Sequence, residues 1–256
     1  MPENGAYNMD CMEYMRTLPD KSFDLAVVDP MYGIGENGAK SGSRAKLAKK
    51  IDYKPVDDTP PDREYFLELF RVSKNQIIWG ANHFVEAISK NASCWLVWDK
   101  DNGNTSYSDC ELAWTSFPGA VRKFKYLWAG MRQEKQGALH QYRIHPCEKP
   151  IALYSWIFSR FAKPGDRILD THLGSGSSRI AAYDAGLAFV GCEIDPDYFE
   201  AQEARYQAHI AQMNLFEGDD TCAADGELRK ARKREQHEET SEKAQGRGCA
   251  MEDQMF

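Results

Sequence analysis

A short apolar stretch that halts on an acid sets most of what this chain can fold into. Leu25-Ala-Val-Val28 is rich in β-branched residues, the pattern of a strand buried on both faces of a parallel sheet. It stops at Asp29-Pro30, and Tyr32-Gly33 follows. A carboxylate, a rigid ring and an aromatic side chain are therefore presented together at the carboxyl end of a strand. In an open α/β sheet that edge is where ligands bind. A strand closed by an ordinary Asp-Pro turn gives the same letters, so the tetrapeptide alone leaves both readings open.

A second strand end carries a different signal. Arg167-Ile-Leu-Asp170 reads as a strand, Leu173-Gly-Ser-Gly-Ser-Ser178 as a glycine-rich loop, and Arg179 to Ala185 as a helix. Gly174 and Gly176 let the backbone turn sharply and admit a ligand close to it. Asp170 is placed to accept a hydrogen bond from an ammonium group. Glu193 ends the next strand, Ala188 to Ile194, near the spacing at which an acid grips ribose hydroxyls in nucleotide-binding βαβ units. Taken alone, this loop also admits a nicotinamide dinucleotide. That reading leaves Asp29-Pro-Met-Tyr32 and His145-Pro-Cys-Glu-Lys-Pro150 unexplained.

Asp29-Pro-Met-Tyr32 resembles the Asp-Pro-Pro-Tyr signature of amino-group DNA methyltransferases, and the His145–Pro150 stretch and the Asp170–Ser178 loop match the same family. Their order is that of the family's permuted β group, and the resemblance covers roughly residues 7 to 216. It implies an α/β, Rossmann-like fold that uses S-adenosyl-L-methionine, with a seven-stranded, mostly parallel sheet. It also implies site-specific methylation of adenine N6 in DNA, since Asp in the first position of the tetrapeptide goes mostly with adenine and Ser with cytosine. Cytosine-N4 methylation and a catalytically inactive DNA-binding relative are the alternatives. By the same resemblance the catalytic residues are Asp29, Pro30, Met31 and Tyr32. The cofactor residues are Asp10, Asp29, Lys149, Asp170, His172, Gly174, Ser175, Gly176, Ser177, Ser178 and Glu193. The chain departs from the family twice. Met31 replaces a second proline, which would fix φ and remove an amide, and Thr171-His172 stands where Pro-Phe is usual.

The implied chemistry is direct transfer. An exocyclic amine is a poor nucleophile because its lone pair is delocalised into the ring. Two acceptors, the Asp29 carboxylate and the Pro30 carbonyl, would localise that pair, while Tyr32 stacks on a base flipped out of the duplex. No metal is required.

Charge distribution bears on the partner. The chain of 256 residues has a formal net charge of -7. Yet residues 36–54 carry Lys40, Arg44, Lys46, Lys49, Lys50 and Lys54 against only Glu36 and Asp52. Residues 118–149 carry Arg122, Lys123, Lys125, Arg132, Lys135, Arg143 and Lys149 against Glu134 and Glu148. An acidic body with two basic inserts suits a protein that meets DNA on one face. Lys40, Arg44, Lys46, Lys49, Lys50, Arg122, Lys123, Lys125, Arg132 and Lys135 are the candidate DNA contacts. The expected organisation is one methyltransferase domain over 1–216, with inserts at about 33–61 and 118–148, and a charged tail over 217–256. The first insert, poor in apolar periodicity, reads as a loop that orders on DNA.

Seven cysteines without a Cys-x-x-Cys pair argue against a zinc site and for a reducing compartment. Cys147, although inside a motif, reads as a filler and not a nucleophile. With no signal peptide or long apolar segment, a cytoplasmic protein without membrane contact is expected; a homodimer is left open. Asp10 reads equally as a cofactor contact or a helix N-cap. Further helices are expected after Asp62, Asn82, Lys149 and Asp195, and strands at 76–80, 94–100 and 111–117. Trp79, Trp95, Trp98 and Trp114 on those strands are expected mainly in the core. The two successive strands suit either a reversed edge strand or a plain hairpin.

Overall fold

The computed structural model describes residues 5–35, 54–103, 108–129, 132–133 and 143–217. Among them, the strands run β1 (Gly5–Asn8), β2 (Phe23–Val28), β3 (Ser73–Trp79), β4 (Trp95–Asp99), β5 (Cys110–Thr115), β6 (Arg122–Lys125), β7 (Trp128–Ala129), β8 (Arg132–Gln133), β9 (Arg167–Asp170) and β10 (Ala188–Glu193). The helices are α1 (Cys11–Arg16), α2 (Arg63–Val72), α3 (Val85–Ile88), α4 (Ile151–Phe161), α5 (Ser177–Asp184) and α6 (Pro196–Glu217). The main sheet has the order β1-β10-β9-β2-β3-β5-β4-β6, while β7 and β8 form a separate two-stranded ribbon. Residues up to Gln207 form one unit. The second begins at Ala208, and its described part is the end of α6.

The mostly parallel Rossmann-like sheet read from the sequence is present, with one strand more than seven among the described residues. The addition is β6, which pairs in parallel with β4 through Leu96↔Arg122 to Asp99↔Lys125. Its sequence, Arg-Lys-Phe-Lys, has no apolar alternation to announce a strand. The reversed strand is β5, antiparallel to both β3 and β4. It therefore lies inside the sheet, not at its edge.

Alternation along β2 explains why its sequence is continuously apolar. Ala26 and Val28 join one buried cluster with α1, α2 and α3, which Phe23 at the start of the strand also joins, out of step with the alternation. Leu25 and Val27 join another with α4 and α5 on the opposite face. Both faces are covered, so neither parity tolerates a polar residue; each fully buried Val or Leu contributes about 1.5–3 kcal/mol. The strand tryptophans behave as core: Trp79, Trp98 and Trp114 are buried, and Trp95 partly so. The indole N–H of Trp98 donates to the Tyr126 carbonyl, and that of Trp114 to the Lys90 carbonyl. At the amino end of the sheet, Asp24 accepts from the Arg167 amide at 3.0 Å and from Lys74 Nζ at 2.7 Å. That single acid ties together the starts of β2, β9 and β3.

Caps follow the side chains that the sequence supplies. Asp62 accepts from the Tyr65 amide and starts α2. Asp10 accepts from the Met12 amide at 2.7 Å and starts α1. Pro150 stands one residue earlier than expected, as an extended N-cap to α4. The stretch after Gly80 divides into a 3-10 turn over Ala81–His83 and the short α3.

Candidate active site

Two motifs distant in sequence end on neighbouring strands. β2 pairs in parallel with β9 through Leu25↔Ile168 and Ala26↔Leu169. Asp29-Pro-Met-Tyr32 and Asp170 with its glycine loop therefore leave the same sheet edge side by side, the edge where open α/β sheets bind ligands.

At the first strand end the Asp29 carboxylate is nearly buried. Its Oδ1 accepts from the Tyr32 hydroxyl at 2.6 Å and its Oδ2 from Lys149 Nζ at 2.6 Å. The Lys149 ammonium also reaches Glu111 Oε2 at 2.9 Å and the Tyr32 hydroxyl at 3.1 Å. The other Glu111 oxygen pairs with Lys100 Nζ at 2.5 Å. Two carboxylates and two ammonium groups thus interlock around one phenol. Burial pushes the Asp29 carboxyl up, against the opposing pull of Lys149. Glu111 feels the same burial, but Lys149 and Lys100 outweigh it and hold its carboxyl down at about 2. Burial works against the Lys149 charge; Asp29 and Glu111 prevail and keep it protonated.

Tyr32 is positioned by a glycine. Gly80 has a left-handed φ of +66°, and a Cβ there would come within 2.1 Å of the Tyr32 ring. On the ring itself, His83 stacks at 5.2 Å between centroids with an interplanar angle of 17°. Pro30 is buried, and Met31 is partly buried. The turn beyond is closed by Asp58, whose two oxygens accept from the amides of Gly33 and Gly35. The ends of the first insert are thereby brought together. Residues 36–53, the body of that expected loop, lie outside the described residues.

The second strand end is built around two buried acids. Asp170 accepts from Ser178 Oγ at 2.5 Å and from the His172 amide at 3.0 Å, and burial pushes its carboxyl up to about 7. Glu193 accepts from the Gly174 amide at 2.8 Å and from the Asp195 amide at 3.0 Å; burial pushes it up as well. Gly174 and Gly176 both have left-handed φ, +50° and +73°, so the loop has the backbone that glycine permits. Ser175 and Ser177 are buried and within 3.1 Å of each other. The Thr171-His172 pair that replaces the usual Pro-Phe is held by Tyr65. Its hydroxyl lies 2.6 Å from Thr171 Oγ1, and its ring meets His172 edge-on at 5.4 Å. Burial lowers the His172 imidazole to about 4, leaving it neutral near pH 7. Two buried acids with no cationic partner among the described residues, beside a loop open to close backbone approach, form a set of acceptors that fits an ammonium group and ribose hydroxyls.

The His145–Pro150 stretch joins the two halves. His145 packs against Gly174 and meets Tyr198 edge-on at 4.5 Å, and burial lowers it to about 4. Glu148, buried, pairs with Arg205 at 3.1 Å, and Arg205 in turn donates to the Ser175 carbonyl. Lys149, one residue on, reaches across to Asp29 and not into the glycine loop. The Cys147 thiol is pushed up to about 12 by burial, so it stands protonated. Asp10, whose carboxylate caps α1, lies between β1 and that helix. A cavity of about 830 Å³ opens near the other end of the strands, beside Asp24, Lys74 and Arg167. Its Asp24 is already paired with Lys74, and it lies apart from both motifs.

Among the candidate DNA contacts, Lys40, Arg44, Lys46, Lys49, Lys50 and Lys135 lie outside the described residues, and Arg132 is described only as part of β8. Arg122, Lys123 and Lys125 are exposed on β6. Lys123 pairs with Asp99 at 3.2 Å and Lys125 with Asp101 at 3.0 Å. These exposed pairs are worth about 0–1 kcal/mol, so exchange for a phosphate is inexpensive. Lys54 is engaged by Asp195 at 2.8 Å and Asp197 at 2.7 Å. The residues that sequence reasoning passes over are Glu111, Lys100, Gly80 and His83. Only Gly80, breaking the pattern straight after an apolar strand, leaves a signal. No group of acids, histidines and cysteines among the described residues is arranged to hold a metal, and no helix there is long and apolar enough to cross a membrane.

A mostly parallel α/β sheet with a glycine loop and a second acidic strand end defines a Rossmann-like methyltransferase fold. Solved structures bear the same fold. TTHA0409 from Thermus thermophilus, complexed with S-adenosyl-L-methionine, superimposes with a TM-score of 0.51 over 80% of this chain and 94% of its own, at 17% identity. The cytosine-N4-specific PvuII DNA methyltransferase gives 0.52 over 79% and 86%, at 12% identity. The family described as DNA methylase matches residues 97–204, which hold Glu111, Lys149 and the glycine loop. The type II methyltransferase M2.DpnII of Streptococcus pneumoniae is 22% identical over 239 residues, covering 78% of this chain and 88% of its own. YubD of Escherichia coli (strain K12) is 25% identical over 216 residues, with the same coverage. Over residues 97–204, and against these relatives, the chain is similar to the amino-group, N6/N4, DNA methyltransferases.

Proposed function

We propose that the protein transfers a methyl group from S-adenosyl-L-methionine to adenine N6 in DNA. One observation carries the reading: Asp29-Pro-Met-Tyr32 and the Asp170 glycine loop end adjacent parallel strands. Acceptor and cofactor cradle are then neighbours by topology. When bound, S-adenosyl-L-methionine supplies the electrophilic methyl group. Asp29 and the Pro30 carbonyl accept hydrogen bonds from the two N–H groups of the target amine and aim its lone pair, and Tyr32 supports the base. Asp170 meets a cationic amine, Glu193 meets hydroxyls, and Gly174 and Gly176 admit the ligand to the backbone. Catalysis rests on positioning. Adenine is favoured over cytosine because position 29 is Asp. Incubation with DNA and S-adenosyl-L-methionine carrying a radiolabelled methyl tests the reading: label is expected in DNA, and none in any DNA offered would refute it.

Asp170 gives cofactor binding a pH dependence. Below about 7 the buried carboxyl holds a proton, which an ammonium group must displace; above it the carboxylate is already charged. Affinity therefore rises with pH through that window. His145 and His172, both lowered to about 4, do not titrate there. Calorimetry at pH 5.5 and 7 is expected to give roughly tenfold tighter binding at the higher pH, and Asp170→Asn to remove most of the difference.

The basic segments supply affinity for DNA through counterion release, so binding falls steeply with salt. Replacing Lys46, Lys49 and Lys50 together with glutamine is expected to reduce the slope of log affinity against log salt by up to about 3. An unchanged slope would remove the first insert from the interface.

A further inference from the structure

Asp29 is already occupied in the protein alone. Tyr32 donates to Oδ1 and Lys149 to Oδ2, both at 2.6 Å. If Asp29 is to polarise an amine, an ammonium group at 2.6 Å is an obstacle. It draws electron density from the acceptor, and it repels the positive charge that arrives on the amine with the methyl group. Lys149 has a second carboxylate within reach, Glu111 at 2.9 Å, on the reversed strand β5. Glu111 is fixed from its far side by Lys100, an electrostatic anchor that Lys149 need not displace. The two carboxylates and two ammonium groups balance, so Lys149 shifts between them without changing the charge of the site.

We propose that Glu111 is a positioning residue for methyl transfer: it takes over the Lys149 ammonium when the target amine claims Asp29 Oδ2. The inference rests on the function proposed above and adds the device that frees the acceptor. No bond is made or broken in the shift; one N–H···O contact is exchanged for a closer one to Glu111. The other titratable groups that Asp29 feels are the Tyr32 and Tyr154 hydroxyls, the Cys147 thiol and Asp170. Lys149, Glu111 and the Tyr32 hydroxyl are the largest influences on Asp29 after burial itself.

Glu111→Gln removes a negative neighbour and leaves Lys149 to Asp29 alone, so the Asp29 carboxyl titrates lower and is held more tightly by the ammonium. Lys149→Met removes the cation, so the carboxyl titrates higher. The test uses the full chain with 13C-labelled aspartate carboxyls. Asp29 is identified by the signal lost in Asp29→Asn, and kcat and KM for DNA are measured beside the titration. Expected are a downward shift of about one unit in Glu111→Gln, an upward shift in Lys149→Met, and a kcat for Glu111→Gln reduced roughly 10- to 100-fold with little change in KM. A purely structural role would lower thermal stability and DNA binding along with turnover, and would not confine the loss to kcat. Unmoved midpoints, or a Glu111→Gln kcat within about twofold of wild type, overturn the inference while the functional reading stands. A wild-type protein that methylates no DNA overturns that reading, and the inference with it.

Discussion

Replacing Asp29 with alanine is expected to abolish methyl transfer, a loss of about 1000-fold or more, while DNA binding stays near wild type. Asp29 and Pro30 are the two acceptors assigned to the target amine, and only the first is a side chain. The substitution leaves the fold viable, because Lys149 keeps Glu111 as a partner at 2.9 Å and Glu111 keeps Lys100. Removing one partner of an isolated buried ion pair costs about 3–5 kcal/mol; here the second carboxylate spares most of that. Labelled-methyl incorporation and gel shift, run on the same preparation, separate chemistry from binding. Transfer by Asp29→Ala above about a tenth of wild type would remove Asp29 from the acceptor role.

The second large effect lies in the cofactor cradle. Gly174→Val is expected to weaken S-adenosyl-L-methionine binding more than tenfold. Space for one more carbon is not the obstacle, since a Cβ at Gly174 would stand 3.5 Å from the His145 ring, in ordinary contact. The obstacle is φ of +50°, which a β-branched residue rarely adopts. Holding valine there costs about 1–3 kcal/mol, and its two methyl groups press on His145. The loop is expected to relax and to withdraw its amide from Glu193. Glu193→Ala attacks the same contact from the other side: the amides of Gly174 and Asp195 lose their acceptor. Calorimetric titration of both variants checks this, and wild-type affinity in both would take the site elsewhere.

Much of this is legible in the sequence, and the reasons are local. β2, β9 and β10 are short apolar runs stopped by Asp29, Asp170 and Glu193, and parallel strands buried on both faces leave that trace. Glycines with left-handed φ mark the loop. What stays hidden is long-range. Glu111 and Lys100 meet because β5 turns back on β4 in the register Trp98↔Glu111 and Asp99↔Cys110. No spacing along the chain announces that pairing. β6 is hidden by its own composition: Lys123 and Lys125 read as DNA contacts, and in the fold they answer Asp99 and Asp101. Lys149 reads as a cofactor residue from its motif, yet its ammonium lies on Asp29. A motif locates a residue on the chain, and only the fold says which way its side chain reaches.

Position 29 bears on the identity of the base as well as on the chemistry, because a carboxylate and a carbonyl serve any exocyclic amine with two protons. The direct measurement is to treat DNA with the protein and S-adenosyl-L-methionine, digest it to nucleosides and weigh them. N6-methyladenine, absent when Asp29→Ala replaces the wild type, is the result expected. N4-methylcytosine in its place would contradict the adenine assignment and leave the mechanism intact, and no modified base of either kind would contradict the enzyme itself.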